Sequence, residues 1–340
     1  MARPGVDLRP VLAALKPDVV HLASPAVLGW RAARAANDLN IPSIAVFQTD
    51  LSGYLRRYRL SAASSMLWAG LRRLHGLTDL TLVPSTSTAD QLRSQGIGPL
   101  AIWGRGVDSD RFHPGHRSEH LNRRFRDGAD SETLVVGFVG RLAAEKRVEL
   151  LEPITRLPGV RLVIIGDGPR RESLERKLPN ARFLGMQTGL DLSRSMASLD
   201  VLVNPGANET FCQVIQEALA SGVPVLAAAA GGPLDLVQQG HNGWLWSGDD
   251  PVALARQVAK LSRNRHEVAE MANRARASVV SRTWSRVSDD LIEHYRQVIL
   301  ARTVLVPPIA TETAGNRAPE MRADVISLRP RQTGPRRRAS

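Results

Sequence analysis

Short apolar runs alternate with amphipathic stretches along most of the chain. In the first half, residues 18–22, 43–47, 80–83 and 101–103 are continuous enough to predict short buried strands, and helical patterns separate the first three. One helix, around 8–15, precedes them. The second half repeats the theme with strands near 134–139, 161–165, 182–184, 201–203, 225–228 and 243–246. Helices follow at 251–262, 266–281 and 284–300. Strand and helix in alternation argue for an α/β protein with parallel sheets covered on both sides. Between the halves, the polar stretch after Gly106-Val107-Asp108, rich in histidine and running to Ser131, reads as the linker. The expected division is 1–125, 126–283, a returning helix at 284–300 and a tail at 301–340.

With 340 residues the chain is long enough for two domains, each with its own core. The single cysteine, Cys212, excludes an internal disulfide and fits a reducing compartment. Without a signal peptide or an 18-residue apolar run, the expected place is the cytoplasm, peripheral at the inner face of the plasma membrane. The formal charge is +12, and the tail holds eight arginines against three acids and reads as disordered. Arginines interleaved with aromatic and apolar residues at 54–60 and again at 68–75 suit an anionic lipid surface or a solvated helix face. No nucleic-acid-binding motif accompanies the charge, so nucleic acid is not expected as a partner.

The strongest chemical signal is the spacing of Glu209 and Glu217. Asn208 is a good N-cap for the apolar run beginning at Phe211, which puts Glu209 at the mouth of a helix. Eight residues advance a helix by about 12 Å and return within roughly 80° of the starting direction, so the two acids fall on related faces. The amides of Thr210, Phe211 and Cys212 are then donors suited to a diphosphate, and Glu217 suits both hydroxyls of a ribose. The plain alternative is a helix-dipole acid and a solvated acid. Upstream, a buried strand ends in Gly140, Arg141 and, five residues later, Lys146, two cations able to offset the charge of a leaving pyrophosphate.

These motifs, with the turns Gly222-Val223-Pro224-Val225 and Gly231-Gly232-Pro233, resemble the retaining glycosyltransferases of family 4. The resemblance implies the GT-B fold, two Rossmann-like domains facing a cleft, and it implies that Glu209 contacts the donor sugar while Glu217 binds the nucleotide ribose. It assigns Arg141 and Lys146 to the pyrophosphate; Leu184-Gly185 backs the base. Gln48 stands where many members carry a histidine that touches the donor sugar, and glutamine offers hydrogen bonding without proton transfer. The Gln48-Thr49-Asp50 form, with His21-Leu22-Ala23-Ser24-Pro25, resembles the actinobacterial GDP-mannose-dependent α-mannosyltransferases acting on glycolipids. Implied are a nucleotide-sugar donor, a lipid or glycolipid acceptor, retention of configuration, and no metal or other cofactor.

Against that pattern the first domain is expected to be incomplete, lacking the opening strand and glycine-rich loop of the family. Cys212 replaces the usual glycine and reads as a packed thiol, not a nucleophile. Asp108-Ser109-Asp110 reads as an interdomain turn, His113, His116 and His120 as exposed polar residues, and His21 and His75 as structural. Three other readings stay open: a UDP-sugar-dependent member of the family, a donor-binding remnant without turnover, and an electrostatic scaffold acting through the tail.

Overall fold

Apolar runs without alternation suit strands buried on both faces, as parallel sheets require. The computed structural model describes residues 6–24, 27–48, 61–247 and 249–305, and these form two parallel sheets. The first contains β1 (Val20–Leu22), β2 (Ser43–Val46), β3 (Leu80–Val83) and β4 (Leu100–Ile102) in sequential order. The second contains β5 (Leu134–Val139), β6 (Val160–Ile165), β7 (Arg182–Gly185), β8 (Val201–Asn204), β9 (Val225–Ala228) and β10 (Gly243–Trp246), in the order β10-β9-β8-β5-β6-β7.

Successive side chains on β5 feed opposite faces, as the two-residue period of a strand demands. Leu134, Val136 and Phe138 join a core with Leu151, Ile154 and Val258. Val135 and Val139 join another with Phe125, Ile215 and Leu219.

The stretch expected to be a linker is instead part of the second domain. It carries a helix, Glu119–Arg126, capped by the Ser118 side chain, and Phe112 and Phe125 enter the second domain's core. Its polar residues are spent on backbone carbonyls and buried acids. Asn122 Nδ2 donates to Ser198 O at 2.8 Å, and Arg117 donates to Leu199 O and to the buried Asp200 carboxylate, both at 3.0 Å. The chain therefore enters the second domain well before residue 126.

The last helix, Trp284–Leu305, returns to the first domain. Val298 packs with Ile44, Val46 and Leu82, Trp103 Nε1 donates to Val287 O at 2.9 Å, and His21 Nδ1 lies 2.7 Å from Tyr295 Oη. The helix runs past the expected start of the tail, and Arg302 pairs with Asp79 at 2.7 Å. His75 is also structural: its Nδ1 is 2.9 Å from Thr81 Oγ1, and burial pushes its pKa down to about 4.

Of the two arginine–aromatic segments, 54–60 lies outside the described residues, as do Pro25, Thr49, Asp50 and the tail after 305. In the other, Trp68, Leu71, Leu74 and His75 are buried while Arg72 and Arg73 face solvent. Among the described residues no helix is long and apolar enough to cross a membrane.

Candidate active site

From the adjacent strands β5 and β8 the chain departs in opposite directions, β5 toward β6 and β7, β8 toward β9 and β10. In open parallel sheets the crevice at such a reversal, outside the carboxyl ends of the strands, is where ligands bind. Gly140 and Arg141 follow β5 there, and the loop carrying Glu209 follows β8.

The floor of this crevice is made by backbone packed on backbone. Gly140 N donates to Ile165 O at 2.9 Å and Gly166 N to Gly185 O at 2.8 Å, which places Leu184-Gly185 beside the Gly140 turn. A Cβ on Gly166 would lie 1.9 Å from Gly140 O. Across the reversal, Asn204 accepts from Gly206 N at 3.0 Å and turns its Nδ2 to Cys212 Sγ, pinning both ends of the loop between them.

The structure corrects the expected helix around Glu209. The helix begins at Gln213, not near Phe211, and its N-cap is Cys212 in the left-handed region at φ 73°, not Asn208. The reason is a contact remote in sequence. Gly232 N donates to Glu209 O at 2.7 Å, and Cβ atoms on Gly231 and Gly232 would stand 2.3 Å from Glu209 O and 2.5 Å from Phe211 Cα. The Gly231-Gly232 turn thus holds residues 209–211 against it, with the chain bending at Thr210 and Phe211 before the helix. A positive φ at 212 explains why glycine suits this position. Thr210, Phe211 and Cys212 consequently precede the helix, and Glu209 and Glu217 do not share one.

Lys146, from the 3-10 turn Ala144–Lys146, reaches Glu209 Oε1 at 2.6 Å. Burial is the largest influence on the Lys146 ammonium and would lower its pKa, but the Glu209 carboxylate, by charge and hydrogen bond, raises it above the ordinary value, with help from Cys212 and Glu145. Arg141 stands exposed at the rim and forms no ion pair with another described residue. The Cys212 thiol is buried, and desolvation first, then the Glu209 charge, push its pKa well up, as a packed thiol requires.

Glu217 sits one turn below Gln213 and lines a cavity of about 490 Å³ with Arg105, Asp108, Arg111 and Trp284. Burial raises its carboxyl to about 7, partly offset by the Arg111 charge. The helix also grips the interdomain segment: Gln213 Nε2 donates to Gly106 O and Gln216 Nε2 to Arg105 O, each at 2.9 Å. Glu217 therefore faces the joint between domains, in a cavity that Lys146 and Glu209 do not line.

Gln48, just beyond β2, brings the first domain to this site. Its backbone oxygen accepts from Thr210 Oγ1 at 3.0 Å, and its Oε1 accepts from Arg105 Nη2 at 3.3 Å. A second bridge was not legible in the sequence: Asp235 Oδ2 accepts from Thr86 N at 2.7 Å, and its other oxygen takes the Thr86 hydroxyl. The first-domain helix Thr86–Ser94 has its own N-cap, Ser85, whose hydroxyl accepts from Thr88 N, and the second-domain acid satisfies the further free amide at its first residue. The Asp108-Ser109-Asp110 segment is a turn, with Arg111 N donating to Asp108 Oδ1 at 2.9 Å. His113 accepts from Gly115 N, and among the described residues no cluster of His, Cys, Asp or Glu is arranged to hold a metal.

Two family models match the chain, Glycosyltransferase Family 4 over residues 1–111 and Glycosyl transferases group 1 over residues 133–264. A GDP-mannose-dependent alpha-mannosyltransferase of Mycolicibacterium smegmatis is 46% identical over 300 residues, which are 86% of this chain and 77% of that protein. One of the same name from Corynebacterium glutamicum is 43% identical over 300 residues, 87% of this chain and 72% of its own length. Among solved structures, Anabaena HepE in complex with UDP superposes with a TM-score of 0.71 at 22% identity, covering 85% of this chain and 81% of that one. That likeness establishes the fold.

Proposed function

The chain belongs to the family 4, group 1 glycosyltransferases, and from this membership and the crevice geometry we propose that it transfers mannose from GDP-mannose to a lipid-linked or glycolipid hydroxyl with retention of configuration. The observation that carries the reading is the Lys146–Glu209 pair at the reversal between β5 and β8. A cation beside a diphosphate and an acid beside a sugar are the two groups a nucleotide-sugar site needs at one point.

The donor diphosphate lies between Lys146 and the loop 210–212, with Arg141 swinging in from the rim. Glu209, oriented by Lys146, holds the mannose, and Gln48 closes over it from the first domain. Glu217 takes the ribose hydroxyls, and Leu184-Gly185 backs the base. The acceptor oxygen bonds to the anomeric carbon on the face from which the diphosphate departs. The C–O bond to phosphate breaks, and the leaving phosphate oxygen takes the acceptor proton. Lys146 and Arg141 offset the charge gathering on GDP. The lipid side of the reading draws on the arginine–aromatic segments, of which Arg72 and Arg73 are exposed, and it places the enzyme at the inner face of the plasma membrane.

Purified protein incubated with labelled GDP-mannose and an actinobacterial membrane-lipid extract is expected to give an α-linked mannolipid. Incorporation from UDP-sugars alone, or no incorporation from either donor, would overturn the proposal.

A further inference from the structure

Arg105 lies on the segment that leaves β4 for the second domain, and its backbone is firmly anchored. Its carbonyl oxygen accepts from Nε2 of the buried Gln216 at 2.9 Å. The next carbonyl, of Gly106, accepts from Gln213 Nε2 at 2.9 Å, and Val107 N donates to Arg282 O at 2.9 Å. From this anchor the half-buried side chain lines the Glu217 cavity and reaches Gln48, where Nη2 donates to Oε1 at 3.3 Å. It forms no ion pair with another described residue.

We propose that Arg105 binds the donor diphosphate, holding the phosphate that carries the sugar. The inference rests on the donor reading above and adds to it a residue from the crossing between domains. Connectivity comes first. A nucleotide sugar joins ribose to sugar through its diphosphate, so a donor with its ribose on Glu217 and its sugar against Glu209 and Gln48 carries its phosphates between those walls. Arg105 touches Gln48 and lines the Glu217 cavity, which puts it beside that span. Charge comes second. The diphosphate of an intact donor carries two negative charges, and Lys146 is already matched by Glu209 at 2.6 Å. Of the two cations given to the diphosphate, only Arg141 therefore brings an unmatched charge, and Arg105 supplies the second. Glu217 does not consume that charge, because the cation that offsets the effect of burial on its carboxyl is Arg111. Shape comes third. A guanidinium presents several N–H donors in a rigid plane, so it can keep Gln48 and still meet phosphate oxygens with a fork of parallel bonds. As Gln48 is the neighbour of the sugar, the phosphate engaged is the one bonded to the sugar, which is the terminal phosphate of GDP.

Calorimetric titration of the full chain with GMP and with GDP measures what the terminal phosphate contributes. Arg105→Gln is expected to lose about tenfold in GDP affinity and to keep its GMP affinity, so the ratio between the two falls. Arg105→Lys, which keeps the charge without the fork, is expected to lie between Arg105→Gln and the unmutated protein. The KM for GDP-mannose is expected to rise in the same order. An unchanged GDP-to-GMP ratio in Arg105→Gln overturns the proposal and leaves the donor reading intact, whether both nucleotides weaken together, as damage to the crossing alone produces, or neither changes. Absence of saturable GDP binding to the unmutated protein strikes the donor reading and the phosphate contact with it.

Discussion

Lys146 Nζ and Glu209 Oε1 meet at 2.6 Å across the boundary where the second sheet reverses, one side chain from the turn after β5 and the other from the loop after β8. Neither acid nor base is oriented by a neighbour in sequence. Each is aimed by the other, which makes the pair the sensitive point of the site. Replacing Lys146 by Ala is expected to lower kcat by about 10²–10³-fold, the scale for removing one group that stabilises developing charge. Glu209→Gln, which keeps the hydrogen bond and loses the charge, is expected to fall between the wild type and Lys146→Ala. Steady-state kinetics with GDP-mannose measure both. Equal losses in the two variants would mean that charge on Glu209 matters as much as Lys146 itself.

Glu217 has a carboxyl raised by burial to about 7. If the ribose hydroxyls bind its ionised form, GDP affinity rises with pH through 7 and levels above it, falling about tenfold for each unit well below 7. Glu217→Gln is expected to bind more weakly at pH 8 and to lose this pH dependence. Stability runs the other way. Unfolded, the carboxyl ionises near the ordinary value of 4.5, so between 4.5 and about 7 the folded state holds more protons, and folding stability falls as pH rises through that window. Calorimetric titration with GDP across pH 5–8, with denaturation of the free protein over the same range, separates the two effects.

Cys212 occupies the left-handed region at φ 73°, which costs an L-residue roughly 1–2 kcal/mol. Glycine there gives back part of this as lost backbone entropy on folding. Cys212→Gly relieves the strained backbone but removes the buried thiol that Asn204 Nδ2 meets, so the two effects are expected to offset to within about 1 kcal/mol, while the β-branched Cys212→Val loses more than about 2 kcal/mol. As the chain's single cysteine, with its thiol buried and its pKa raised, it should resist iodoacetamide at pH 8 when folded and react on unfolding.

Gly231 and Gly232 set the path of residues 209–211 by close backbone approach. Gly232→Ala is expected to destabilise by about 2 kcal/mol or more and to lower donor affinity, because the added carbon must displace the Phe211 backbone. Gly70→Ala, at an exposed position of the helix Ser61–His75 with open space at the new carbon, is expected to gain up to about 1 kcal/mol. Thermal denaturation of the pair tells local crowding from a general response to alanine.

What the sequence conveyed well was whatever depends on nearest neighbours. Unbroken apolar runs such as Leu134–Val139 and Val225–Ala228 announced their strands, because a strand buried on both faces leaves no room for a polar alternate. Spacing marked Arg141, Lys146, Glu209 and Glu217 as candidates, and of these Lys146 and Glu209 come together as an ion pair. What failed was anything settled by remote contacts. Asn208 has the chemistry of an N-cap, yet the Gly231-Gly232 turn, more than twenty residues on, draws the backbone away from helix until Gln213. The polar stretch around Ser118 and Asn122 looked like a linker because its hydrogen-bond partners, Ser198 and its neighbours, are eighty residues away. The Asp235–Thr86 bridge joins residues with no local pattern between them.

Among the described residues the polypeptide passes between the two domains at two places, once at Gly106 and again at Trp284, and the two passages touch. Val107 N donates to Arg282 O at 2.9 Å, and Gly106 has no room for a side chain against the Trp284 backbone. Two adjacent crossings restrict the domains as a pair of closely set pins restricts a door: one rotation stays easy, whereas twisting and sliding are resisted. Groups beside that axis, Arg105 and Trp284 among them, keep their neighbours as the crevice opens. The Asp235–Thr86 contact joins the same two domains through side chain and backbone alone, with no chain crossing at either residue, which makes it a natural position for a distance probe of opening.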